Sequence, residues 1–312
     1  MTGLIDWHSH HSSPEFAERC VAVGLGPPGI DPEDSGDFVA RRSALDACGI
    51  DVQLISQTAR GGTDSLSSAD EMALIRTSND AIADRIATDP GRFIGSVAVS
   101  FRDVPGSIAE IDRLHLRGFR AVLMYPQAGG IFLADRPESR SLFARIAELG
   151  LPIFMHGGGT RGAGPDMSHL EDEGAGVAAS VYADAAVTEC VVRLIAAGTF
   201  DRHPGLKIVI RSAGGGLPLL LKKMSWRHKG DGTSRKYSEI FLEHFLIDCA
   251  SVNARTLHFF IDTLGERNVV FGSDYCGGLG PLSRALPVVN DQSDPDRMRT
   301  ILNNNSRELL NI

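Results

Sequence analysis

Residues 3–11 read GLIDWHSHH: an apolar run suited to a strand, followed by three histidines in four positions of a chain that holds only ten. The end of this strand separates two architectures. A doubly wound α/β sheet carries a Gly-rich phosphate-binding turn after its first strand, and here histidines stand in its place. Side chains alternate across a strand, so His8 and His10 share one face while His11 points elsewhere or begins the loop.

Outward from this stretch the chain repeats one unit: a short run rich in Val, Ile and Phe, a polar or Gly-containing turn, and an amphipathic segment of helical length. The expected strands are 3–8, 52–57, 93–99, 119–125, 152–156, 207–212, 245–250 and 268–273, eight in all. Helices are expected at about 37–48, 67–88, 104–117, 137–149, 177–198, 216–228, 254–264 and 295–310. Near-continuous apolar strands alternating with helices describe a parallel sheet buried on both faces. Eight units predict an α/β fold of the (β/α)8 TIM-barrel type. Two stretches, 11–36 and 157–176, read as long loops over the catalytic face. No linker or fixed-period repeat divides the chain, which gives one domain over 1–312.

The composition agrees with a globular protein: 312 residues, 43% hydrophobic and 22% charged. A formal charge of -8 without basic runs offers nothing to nucleic acid or an anionic membrane, and leaves a small molecule as the expected partner. Neither a spanning segment nor a signal segment is read, so the expected location is cytoplasmic. The five cysteines are odd in number and far apart, and read as reduced thiols.

A His-x-His pair alone also fits surface or capping histidines. Two further strand ends change its meaning. Strand five ends in FMHGGG with His156, and strand eight runs VVFGSDYCGG with Asp274 just beyond it. Singly, His156 reads as a core histidine and Asp274 as a cap. Together with His8 and His10 at the same end of three strands, they make a nitrogen and oxygen site for one divalent metal ion, zinc or alternatively manganese. Arg60, in SQTARGG after strand two, and Arg211, closing an apolar strand, read as anchors for a substrate anion. Tyr125, Tyr275 and Cys276 read as packing beneath the loops.

The same residues carry a resemblance. IDWHSHHSSPEF (5–16), LGLPIFMHGG (149–158), LIAAGTFDRHPGLKIVI (194–210) with GGGLP (214–218), VVFGSDY (269–275) and ILNNNSRELL (301–310) resemble the amidohydrolase superfamily, in particular its amidohydrolase 2 branch. That branch includes aminocarboxymuconate semialdehyde decarboxylase and the resorcylate decarboxylases. The resemblance implies a (β/α)8 barrel with one divalent ion, held at His8, His10, His156 and Asp274, and a homodimer. It also exposes a departure: where the branch ends its sixth strand in histidine before glycines and Leu-Pro, LKIVIRSAGGGLP places Ser212. Serine cannot act as a base near neutral pH, so either Asp274 handles the proton alone or another residue substitutes, with Ser212 and the two arginines lining the substrate.

Three functions follow. The first is non-oxidative decarboxylation of a small cyclic or unsaturated carboxylic acid. The second is hydrolysis of an amide, lactone or activated carbonyl at the same site. The third is a silent ligand-binding barrel.

Overall fold

A computed structural model describes residues 3–28, 30, 36–57, 63–128, 131–157, 181–227, 235–278, 281–285, 288 and 294–312. Eight strands form one sheet in the order of the chain: β1 Leu4–His11, β2 Ile50–Gln57, β3 Phe93–Ala98, β4 Phe119–Met124, β5 Ile153–Met155, β6 Ile208–Ile210, β7 Phe245–Asp248 and β8 Val269–Val270. Every neighbouring pair from β1 to β8 is parallel. The seam from β8 back to β1 is held by Trp7 N–H to the Phe271 carbonyl and His10 N–H to the Tyr275 carbonyl, both 2.9 Å. The sheet is thus a nearly closed (β/α)8 barrel, as the eight-unit pattern requires.

Among the described residues the α-helices are α1 Pro14–Ala22, α2 Phe38–Ala47, α3 Ser68–Thr88, α4 Val104–Leu114, α5 Arg140–Glu148, α6 Ala183–Ala196, α7 Thr199–Arg202, α8 Leu217–Met224, α9 Tyr237–His244, α10 Ala254–Leu264, α11 Pro295–Arg299 and α12 Asn305–Leu310. Several begin where the sequence supplies a cap: Ser67 accepts from Asp70 N–H, Asp103 from Gly106 N–H and Asn253 from Thr256 N–H. The stretch expected as loop 11–36 contains α1, started by the Ser13 cap and Pro14. The final helix is broken into α11 and α12 by a π-helical turn at Thr300–Asn304. None of the described helices is long and apolar enough to cross a membrane.

Ile5, Trp7, Val52, Leu54, Phe154, Val209, Leu246 and Val270 fill the barrel interior as one apolar cluster. Strict alternation from Ile5 and Trp7 would turn His8 outward. Pairing with β2 passes from Asp6↔Gln53 to Ser9↔Ile55, so β1 carries one residue more than its partner across this step. That β-bulge reverses the alternation. The His8 ring meets the ring of interior Phe154 at 5.1 Å, whereas His11 packs edge-on against Phe38 of α2.

Strands β5 to β8 are shorter than the apolar runs suggest. Beyond the barrel rim the backbone leaves the ladder to carry side chains: Ser212, Ala213 and Asp274 have φ of 48°, 64° and 56°.

Candidate metal centre

The bulge leaves the His8 amide without a ladder partner, and the fully buried Asp6 carboxylate accepts it at 3.1 Å. Asp6 also accepts from Ser273 N–H at 2.9 Å, the Ser273 hydroxyl at 2.6 Å and the Gln53 amide at 2.8 Å. One carboxylate therefore ties the strand carrying His8 to the residue before Asp274. Burial pushes its pKa up against the pull of these donors.

Above this clamp, His8, His10, His156 and Asp274 bring one donor atom each into a group within 4.8 Å of one another. All four residues are buried. Nδ1 of His8 faces Asp248 Oδ2 at 2.8 Å, Nδ1 of His10 the Gln57 carbonyl at 3.2 Å, and Nδ1 of His156 the Gly157 carbonyl at 2.8 Å. Oxygen acceptors at every Nδ1 fix the proton there and turn the three Nε2 atoms inward. Those atoms stand 3.2 Å (His8–His10) and 3.1 Å (His8–His156) apart. Asp274 Oδ1 lies 3.2 Å from His8 Nε2 and 3.1 Å from His10 Nε2.

Three inward lone pairs beside a carboxylate repel one another unless a cation lies among them. Burial alone would push the His8 imidazolium down, but the charges of Asp248 and Asp274 outweigh it and push the pKa up to about 10. Burial likewise raises the Asp274 carboxyl, and the His8 and His10 rings more than reverse this, holding it well below the usual range. Burial, with His10 and His8 beside it, keeps His156 neutral. Without a metal, a proton is the cation the cluster takes. Neutral imidazoles and a carboxylate are the donor set that zinc and manganese accept, so the residues fit one divalent ion.

Asp274 sits in a left-handed turn closed by Gly277 N–H to its carbonyl at 2.8 Å. A Cβ on Gly277 would fall 1.9 Å from Asp274 Oδ1, so only glycine leaves the carboxylate its room. Gly272 plays the same part for the His8–Asp248 pair: a Cβ there would meet His8 Cβ at 2.9 Å and Asp248 Cβ at 3.0 Å.

The sixth strand reaches the cluster by its backbone. Ser212 N–H donates to Asp248 Oδ1 at 2.7 Å, while the other oxygen of Asp248 holds His8. The Ser212 hydroxyl accepts from Arg211 at 3.3 Å. Arg211 pairs with Asp184 at 3.1 Å, and its Nε, which has no partner among the described residues, passes so near Gly157 that a Cβ there would lie 2.7 Å from it. Arg211 thus flanks His156. Arg60 lies outside the described residues, as does most of the loop after β5.

Sequence reasoning missed Asp248, Asp6, Gln57 and Arg41. A lone acid in the apolar strand FLIDCA was a signal for Asp248. Arg41 carried none: it lies in an ordinary helix, yet it is 1% exposed, donates to the His10 carbonyl and stacks over the Tyr275 ring at 5.0 Å.

The sequence model of the family described as Amidohydrolase matches residues 5–312. The gamma-resorcylate decarboxylase of a Rhizobium species is 25% identical over 249 residues, 75% of each chain. The crystal structure of 2,6-dihydroxybenzoate decarboxylase from Rhizobium superposes with a TM-score of 0.84 at 21% identity, covering 100% of this chain and 99% of that one. A dihydroxybenzoic acid decarboxylase from Polaromonas sp. JS666, solved with manganese and the inhibitor 2-nitroresorcinol, gives 0.83 at 20% identity over 100% and 97%.

Proposed function

From the premise that the chain belongs to the amidohydrolase family, we propose that it is a metal-dependent carboxy-lyase that removes a carboxyl group, without an oxidant, from a small cyclic or unsaturated acid. The observation that carries the reading is the set of three inward Nε2 atoms and the Asp274 carboxylate, each imidazole locked by an oxygen at Nδ1. Relatives named as decarboxylases support the reaction type.

His8, His10, His156 and Asp274 would hold the ion, zinc or manganese. What it supplies when bound is a Lewis acid for an oxygen of the substrate. Arg211 beside His156, together with Arg60, anchors negative charge on the acid. Asp274, ionised at rest, directs Oδ1 at the histidines, and its second oxygen takes up one proton from solvent and passes it to the substrate carbon as the bond to the carboxyl group breaks and carbon dioxide leaves. The products are carbon dioxide and the same skeleton with hydrogen in place of the carboxylate.

The test is a product assay on metal-loaded protein with a panel of aromatic and unsaturated acids. Carbon dioxide release with a product one carboxyl group lighter is expected. Water addition to amides or lactones in place of decarboxylation would overturn the reading in favour of a hydrolase.

A further inference from the structure

Asp274 and Cys276 both have φ in the left-handed region, 56° and 57°, although neither is glycine. Side chains disfavour that region, and residues persist in it where their surroundings hold them there. The residue between them, Tyr275, is tied down. Its N–H donates to Ser273 Oγ at 3.1 Å, its carbonyl accepts His10 N–H at 2.9 Å, and the Arg41 guanidinium lies 5.0 Å from the centre of its ring.

Arg41 reaches this turn from α2. Its guanidinium also lies 4.9 Å from the centre of the Phe38 ring, which packs edge-on against His11 and Phe93, and its Nη2 donates to the His10 carbonyl. Both rings stand at cation–π distance. One side chain thus joins the backbone of one candidate ligand, His10, to the residue that follows another, Asp274. Its remaining nitrogens, Nε and Nη1, are buried and have no hydrogen-bond partner among the described residues. A buried charge so sparsely bonded gives little net stability, and an apolar side chain of similar volume could stand in its place. Stability alone does not call for a cation here.

We propose that Arg41 is a positioning residue of the metal centre: it holds the left-handed turn at Asp274 against β1, so that the carboxylate stays aligned with His8 and His10. The inference rests on the reading of the cluster as a metal site. Without the guanidinium the turn is free to relax toward ordinary backbone angles, which carries Oδ1 away from the two Nε2 atoms that it meets at 3.2 and 3.1 Å.

The experiment is titration of the metal-free protein with cobalt(II), read by the visible absorption of the bound ion, beside a chemical denaturation curve for each variant. Arg41→Met should unfold near the wild-type midpoint or above it. It should nevertheless bind cobalt about tenfold or more weakly, the scale of an outer partner of a ligand, and with an altered spectrum. Removing a positive charge by itself favours a cation, so a loss of affinity reports position and not field. The control is Asn79→Ala, which removes buried hydrogen bonds to Ala98 and Glu110 and should lower stability while leaving the cobalt spectrum in place. Unchanged affinity and spectrum in Arg41→Met overturns the assignment, as does a loss of affinity that Asn79→Ala reproduces. If Arg41→Met does not fold, Arg41→Lys, which keeps the charge without the planar fork, is judged by the same two outcomes. A wild type that takes up no cobalt overturns the metal site itself, and the role of Arg41 with it.

Discussion

His8 Nδ1 and Asp248 Oδ2 lie 2.8 Å apart with both side chains fully buried, while the other oxygen of Asp248 is held by the Ser212 amide. The pair therefore fixes the ring and its tautomer, and raises the basicity of the inward nitrogen. An outer partner of this kind typically changes metal affinity by about 10–100-fold. Asp248→Asn should weaken metal binding by that factor, measured by competition with a chromophoric chelator, and an unchanged affinity would remove Asp248 from the site.

Asp274→Asn keeps the shape of the turn and removes the negative charge and the proton-carrying oxygen. Turnover should fall by about 10²–10⁴, the usual contribution of a positioned acid or base. The check is a steady-state rate at saturating metal, so that loss of affinity is not mistaken for loss of chemistry.

Asp6→Ala leaves the His8 amide, the Ser273 amide and hydroxyl, and the Gln53 amide without their shared acceptor. Each stranded buried donor costs about 1–3 kcal/mol, partly recovered by relaxation. A loss of roughly 3 kcal/mol or more is expected in chemical denaturation. A loss under about 1 kcal/mol would mean that the seam is held elsewhere.

The metal-free protein should show a pH dependence set by His8. Its folded pKa, about 10, lies above the ordinary 6.5, so its stabilising contribution is complete below pH 6.5 and is lost as pH rises toward 10. Asp274 acts in the opposite sense, contributing above its ordinary 3.8 and losing that contribution only in strong acid. The melting temperature of chelator-treated protein should therefore decline from pH 6.5 to 10. Metal-loaded protein should lack that decline, because the ion replaces the proton, and equal slopes in the two forms would contradict the assignment.

The barrel was legible because its period is written eight times in apolar runs, and because histidines replace the phosphate turn after strand one. Four of the clustered side chains were legible because each ends or follows such a run. What was not legible is what depends on register or on distant pairing. The bulge between Asp6 and Ser9 is visible only against β2. Without it, Trp7 and His10 could not both point inward, and no local pattern records the extra residue. Gln57 looked like an ordinary strand end; that its carbonyl meets His10 Nδ1 depends on β2 lying beside β1.

The seam between β8 and β1 has a consequence for how the molecule comes into being. His8 and His10 arrive with the first barrel strand and Asp274 with the last, so the cluster requires β1 and β8 to meet. Contacts of such high sequence separation are reached late, after the entropy of closing the loop between them has been met. A nascent chain with its first seven strands formed would hold the histidines without their carboxylate. Assembly of the catalytic apparatus and closure of the barrel are then a single event, so the ability to capture an ion would mark the moment at which folding is complete.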